Sequence, residues 1–141
     1  MDSRSPTRRA VLIAGVGASA AALAACSSPD ASAPVGSSGS SPVPAGTVIH
    51  TLATIPVGGT AATEVNGVAI LLSQPSKGQV AAFSATCPHQ GCRVAAKGAE
   101  FDCPCHGSRF DGATGAVLAG PANRGLTPLT VTVSGDDVIA Q

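Results

Sequence analysis

Tryptophan and tyrosine are absent from the 141 residues, methionine occurs once and phenylalanine three times. With so few large aromatics the core must be built from aliphatic side chains, and a small domain of that kind needs a staple. Charge is scarce as well: 11% of residues carry one, and eight Lys and Arg balance eight Asp and Glu. A neutral chain lacks the basic surface that phosphates demand, so nucleic acid is excluded as a partner. The longest apolar stretch, Ala10 to Ala25, is broken by Gly and Ser and is too short and weakly apolar for a stable membrane span. From residue 47 onward no segment keeps a helical period, and no internal repeat is present.

What is there divides into three segments. In residues 1–26, Arg4, Arg8 and Arg9 precede that apolar stretch, the charged and then apolar pattern of a secretory signal. Residues 27–46 hold seven Ser, four Pro and three Gly, a composition that opposes regular structure and reads as a tether. As a flexible coil it would average roughly 25 Å from end to end. Residues 47–141 are the working domain. Counted from Cys26, five basic residues face seven acidic ones, a net charge of −2. The basic residues that disappear belong to the signal.

The working domain shows short β-rich runs at Val48–Ile55, Ala61–Val65, Val68–Ser73, Val80–Thr86, Gly98–Asp102, Leu129–Val133 and Val138–Ala140. Asn66-Gly67 and Gly135-Asp136 lie between such runs and read as hairpin turns. The fold class expected is all-β, made of small antiparallel sheets.

Four of the five cysteines and two of the three histidines fall in two clusters, Cys87-Pro88-His89-Gln90-Gly91-Cys92 and Cys103-Pro104-Cys105-His106-Gly107-Ser108. These form a metal site, a disulfide site, or both. Taking Cys-x-His from the first and Cys-x-x-His from the second gives two thiolates and two imidazoles: Cys87, His89, Cys103 and His106. Two Cys on one iron and two His on the other is the ligand set of a Rieske [2Fe–2S] centre. One tetrahedral Zn²⁺ would accept the same four donors, but it leaves Cys92 and Cys105 without a role. Cys103-Pro104-Cys105 lacks the Cys-x-x-Cys spacing of thioredoxin-like redox motifs.

The paired clusters resemble the high-potential Rieske proteins of cytochrome bc-type complexes, arsenite oxidases and bacterial lipoproteins, over residues 47–141. The resemblance implies one [2Fe–2S] cluster per chain, held at a tip of two loops that a Cys92–Cys105 disulfide clamps together. That disulfide closes fourteen residues, worth about 3 kcal/mol by chain entropy. It further implies that Ser108 donates to a bridging sulfide, and that Gly120-Pro121-Ala122 matches the proline loop covering the cluster. Phe110 stands where the family has a hydrogen-bonding Tyr, so a midpoint potential below that of Tyr-bearing relatives is expected. The outer nitrogens of His89 and His106 should lie near solvent. His50, in the first predicted strand, reads as a surface or packing residue.

Thr7-Arg8-Arg9-Ala10-Val11-Leu12 resembles a twin-arginine signal, and Leu23-Ala24-Ala25-Cys26 a lipobox whose Cys26 is lipidated. The expectation is a one-electron carrier or small oxidoreductase subunit, exported and lipid-anchored on the outer face of the cell membrane. Its partners would be redox proteins, with quinol and cytochrome b or cytochrome c as candidates. The alternative is the Rieske subunit of a quinol:cytochrome c oxidoreductase, against which stand Gln90, where that family usually has Leu, and a lipobox in place of a transmembrane anchor. A structural zinc lipoprotein is the remaining reading. An autonomous Rieske oxygenase needs a second iron on two His and a carboxylate, and only His50 is left over.

Overall fold

The computed structural model describes residues 42–141. Cys26, the signal and most of the tether lie outside them. The described chain is β1 (Val48–Thr51), a 3-10 turn (Leu52–Thr54), then β2 (Thr60–Val65), β3 (Val68–Ser76), β4 (Gln79–Ser84), β5 (Ala95–Lys97) and β6 (Glu100–Asp102). It continues through β7 (Arg109–Asp111), β8 (Val117–Ala119), β9 (Pro128–Leu129), β10 (Val131–Ser134) and β11 (Asp137–Ala140). Three antiparallel sheets result, with strand orders β1-β11-β10, β2-β3-β4-β9 and β5-β6-β7-β8. We call them the base, middle and tip sheets. No helix among the described residues is long and apolar enough to cross a membrane.

The middle sheet is the wall on which the rest is built. Five consecutive residues of β3, Ile70 to Gln74, are buried, as expected of a strand covered on both faces. Because side chains alternate, Leu71 points into one core while Ile70 and Leu72 point into another. The base core is aliphatic, built from Val43, Ile49, Ile55, Ile70, Leu72, Ala82, Val138 and Ala140. The tip core holds all three phenylalanines, with Phe83 and Phe101 edge to face at 5.8 Å between ring centres. Cys87 and Cys103 are buried in the same core.

Several boundaries differ from the sequence reading for local reasons. The run Val48–Ile55 breaks at Leu52, where the Ile55 N–H donates to the Leu52 carbonyl and closes a 3-10 turn, and the Thr54 hydroxyl donates to the Thr51 carbonyl. Leu129–Val133 is two strands, β9 on the middle sheet and β10 on the base sheet, and the chain changes sheet at Thr130. Val43 falls within the stretch read as tether, yet it is buried in the base core, and Gly46 N–H bonds the Ala140 carbonyl at 2.8 Å. Asn66-Gly67 forms the two-residue turn between β2 and β3, with φ of +52° and +79°. Positive φ at both central residues is what a type I′ hairpin requires.

Candidate metal centre

The tip sheet is short because its strands serve mainly to present turns. One turn, Cys87–Cys92, is closed at its base by an antiparallel bridge between Thr86 and Arg93. The other, Cys103–Ser108, joins β6 to β7. The two have the same backbone. In the first, Cys87 N–H donates to the Cys92 carbonyl and Gly91 N–H to the Cys87 carbonyl, both at 2.8 Å. In the second, Cys103 N–H donates to Ser108 at 2.8 Å and Gly107 N–H to Cys103 at 3.0 Å. The fifth residue has φ +75° in each, which is why both clusters place Gly there.

A third turn of this type follows at once. Asp111 N–H donates to the Ala116 carbonyl, and Gly115 N–H to the Asp111 carbonyl, both at 2.8 Å. Here the first side chain is a carboxylate, and Asp111 Oδ1 accepts the N–H of Ala113 at 3.1 Å and of Thr114 at 2.8 Å. The Thr114 hydroxyl, donating at 2.7 Å, and those amides hold the Asp111 carboxyl below the ordinary carboxylate range. In the Cys103 turn the amides of Cys105 and His106 likewise reach the first side chain, a sulfur. The turn therefore offers amide donors to an anion at its first position, whether oxygen or sulfur. Sequence reading found the two cysteine copies by their Cys and His spacing. It missed the third, whose signal was the Gly four residues after Asp111.

Burial pushes the Cys103 thiol up, the Cys105 amide draws it down, and the adjacent Cys87 thiol raises it again. Burial beside a second thiol thus disfavours the Cys103 thiolate, and a metal cation is what would draw off its proton. Among the described residues Cys87 and Cys103 are the free cysteines. Cys92 and Cys105 are bonded to each other across the two turns, with Cα atoms 6.5 Å apart. The sulfurs of Cys92, Cys103 and Cys105 lie within 4.8 Å of one another, so the disulfide packs directly against one of the free thiols.

The imidazoles complete the set. The rings of His89 and His106 meet edge to face, 4.9 Å between centres. His106 is exposed and His89 half-buried, and His89 Nδ1 is buried with no hydrogen-bond partner among the described residues. A buried ring nitrogen without a partner is costly unless something absent from the protein atoms takes its lone pair. Two free thiols, an orphaned imidazole nitrogen and a second imidazole beside it are the donors a two-iron, two-sulfide cluster with mixed ligation requires. The residues present fit the group.

Around this tip, Ser108 is fully buried and its Oγ accepts the Ala122 N–H at 3.2 Å. Gly120 lies against it so closely that a Cβ there would come 2.2 Å from Ser108 Cα, which leaves glycine the sole residue that fits. The exposed Pro121 sits between them in sequence. Phe110 is fully buried in the tip core with Cys87 and Cys103. His50 belongs to the base sheet, where its Nε2 shares a 3.0 Å hydrogen bond with the Thr54 hydroxyl.

The family model of the Rieske [2Fe-2S] domain matches residues 47–133. The chain belongs to that family. Its cofactor is a Rieske [2Fe–2S] cluster, and its role is electron transfer through that cluster. The cytochrome b6-f complex iron-sulfur subunit of Synechococcus sp. (strain JA-3-3Ab) is 47% identical over 58 residues, covering 40% of this chain and 33% of the relative. The chain thus spans about a third of the length of the curated relatives it matches. Among solved structures, the plasma membrane Rieske protein PetC3 of Synechocystis PCC 6803 is 33% identical, covering 67% of this chain and 98% of that one, with a TM-score of 0.59. A chain of a hyperthermophilic respiratory Complex III is 26% identical, covering 65% and 72%, with a TM-score of 0.53. This Rieske domain is all-β, as its sequence implied.

Proposed function

We propose that this Rieske domain is a one-electron carrier, or the small redox subunit of an oxidoreductase, tethered to the outer face of a bacterial membrane through a lipidated Cys26. Cys87 and Cys103 would hold one iron, and His89 and His106 the other. The observation that carries the ligand assignment is the orphaned His89 Nδ1 beside His106 and two adjacent free thiols. When bound, such a cluster takes up and passes on one electron at about −150 to +300 mV, above the roughly −400 mV of all-cysteine plant-type ferredoxins.

The chain's own residues do the rest. Buried Cys87 and Cys103 keep solvent from one side of the site, while exposed His106 presents an imidazole edge to whatever docks. The Cys92–Cys105 bond keeps the two turns from separating. Ser108 and Phe110 pack beneath the turns, Ser108 with a hydroxyl and Phe110 without one. Gly120 and Pro121 would cover the cluster's flank.

Arg8-Arg9 and the Leu23-Ala24-Ala25-Cys26 sequence support export and lipid anchoring, and the Ser, Pro and Gly content of residues 27–46 supports a tether. A place in a quinol:cytochrome c oxidoreductase, working with cytochrome b, is the second reading. It is favoured by relatives named as cytochrome b6-f subunits, and Gln90 beside His89 weighs against it.

The test is full-length protein purified anaerobically from membranes. Two irons and two acid-labile sulfides per chain, with the EPR signal of a mixed-ligand two-iron cluster, are expected. A colourless protein with one zinc and no sulfide overturns the assignment. Mass spectrometry of the N-terminal peptide should find diacylated Cys26. Purification alone supports the carrier, and co-purifying cytochrome b supports the complex subunit.

A further inference from the structure

The tip sheet carries most of its charge in two ion pairs, Lys97 with Asp102 at 2.5 Å and Arg109 with Glu100 at 3.7 Å, and a third, Arg93 with Glu64 at 2.6 Å, joins the residue two before β5 to β2 of the middle sheet. One of them stands next to a proposed ligand. Asp102 immediately precedes Cys103, their Cα atoms one peptide apart, about 3.8 Å. Along β6 the side chains alternate, so Phe101 and Cys103 enter the tip core while Asp102 faces the other way.

The carboxylate is unevenly satisfied. Its Oδ2 accepts from Lys97 Nζ, whereas Oδ1 is buried and has no donor among the described residues. Directly opposite it across the strands stand Ala95 and Arg109, and the Arg109 guanidinium leans to Glu100. Stability does not account for this arrangement. The Lys97 side chain is 73% exposed, a setting in which an ion pair contributes little, and a buried acceptor without a donor is a cost. What the arrangement does secure is a negative charge, 23% exposed and therefore weakly screened, beside a metal-ligand position, with a positive charge held against it.

We infer that Asp102 and Lys97 form a charge pair that sets the midpoint potential of the cluster, Asp102 opposing the added electron and Lys97 offsetting that opposition. The inference rests on Cys103 being a cluster ligand. Neither residue touches the reacting atoms, and both act through the field at the Cys103 side of the site.

Asp102→Asn and Lys97→Met break the same ion pair but remove opposite charges. If the pair only braces the β5–β6 hairpin, both variants lose a little thermal stability and leave the potential alone. If it sets the potential, Asp102→Asn raises the midpoint, Lys97→Met lowers it, and the double variant returns close to the parent. Protein-film voltammetry on the cluster-loaded full chain reads the shift, with iron and sulfide content and EPR g-values as the check that the cluster is unaltered. Unchanged midpoints, or shifts of the same sign, overturn the inference while the ligand assignment stands. A parent protein without a two-iron cluster overturns both. Lys97 is exposed enough that its variant folds even if Asp102→Asn does not, and Lys97→Met must then lower the midpoint by itself.

Discussion

The two halves of the domain divided by β3 are held together by different means. Below it, the base core closes on aliphatic side chains alone, and its three-stranded sheet is tied at one end by backbone bonds of Gly46 and Thr47 with Ala140 and at the other by the Leu52 N–H on the Asp136 carbonyl. Above it, strands of three residues carry turns that no strand of that length would keep in place. There the chain adds a disulfide, three ion pairs, every phenylalanine it has and, by the ligand assignment, metal ligation. Both halves bury a core, and the tip adds a disulfide to its own. A redox site has to leave its ligand edges near the surface, so the turns that carry them are clamped where burial stops.

If that division is real, damage to each half should read out differently. The largest effect is expected from Cys92→Ser combined with Cys105→Ser. Removing the clamp gives up about 3 kcal/mol of loop restriction and separates the turns. Cluster content per chain should fall steeply, while circular dichroism of the base strands persists. A full, heat-stable cluster in that variant would erase the distinction between the halves. Next, Leu72→Ala should cost about 2–5 kcal/mol in chemical denaturation, since Leu72 is fully buried in the base core. Its midpoint potential should not move, because its side chain points away from the tip; a shifted potential would mean that β3 does not insulate one core from the other.

Phe110→Tyr sharpens the comparison within the tip. Position 110 is buried with the two free cysteines, so a hydroxyl there gains a sulfur as acceptor, and voltammetry should show a higher midpoint. No rise would mean that the hydroxyl does not reach the site. The smallest effect belongs to Asp111. Its carboxyl titrates below the unfolded value because Thr114 and the turn amides bond the charged form. The resulting stabilisation is present at neutral pH and is lost as pH falls through the lowered folded value. Asp111→Asn should therefore flatten the acid limb of the stability profile slightly, as read by denaturation at neutral and acid pH, and an unchanged limb would show that the turn does not favour the charged carboxyl.

Much of this was legible in the chain because certain residues allow few alternatives. Asn66-Gly67 between alternating apolar runs left little besides a two-residue hairpin, and six Cys and His within twenty residues named the site. What stayed hidden was structure without a local signature. β5, β7 and β8 have three residues each, too short for a period of two to rise above chance. Lys97 and Asp102 are brought together only by the β5–β6 hairpin register. The buried His89 nitrogen without a partner and the Ala122 amide on Ser108 arise from loops far apart in sequence. Phe101 and Phe110 become neighbours only through the pairing of β6 with β7, which sets them opposite one another in register.

The three matched turns give the molecule a control sample of itself. Gly91, Gly107 and Gly115 each donate the same amide to the same acceptor position, but the first side chain of one turn is a carboxylate satisfied within it, whereas Cys87 and Cys103, by the ligand assignment, would also bind iron. In one hydrogen-exchange experiment, the Gly115 amide reports how readily this backbone loop opens when nothing foreign is bound. The excess protection at Gly91 and Gly107 is then the part that belongs to the disulfide and the cluster together.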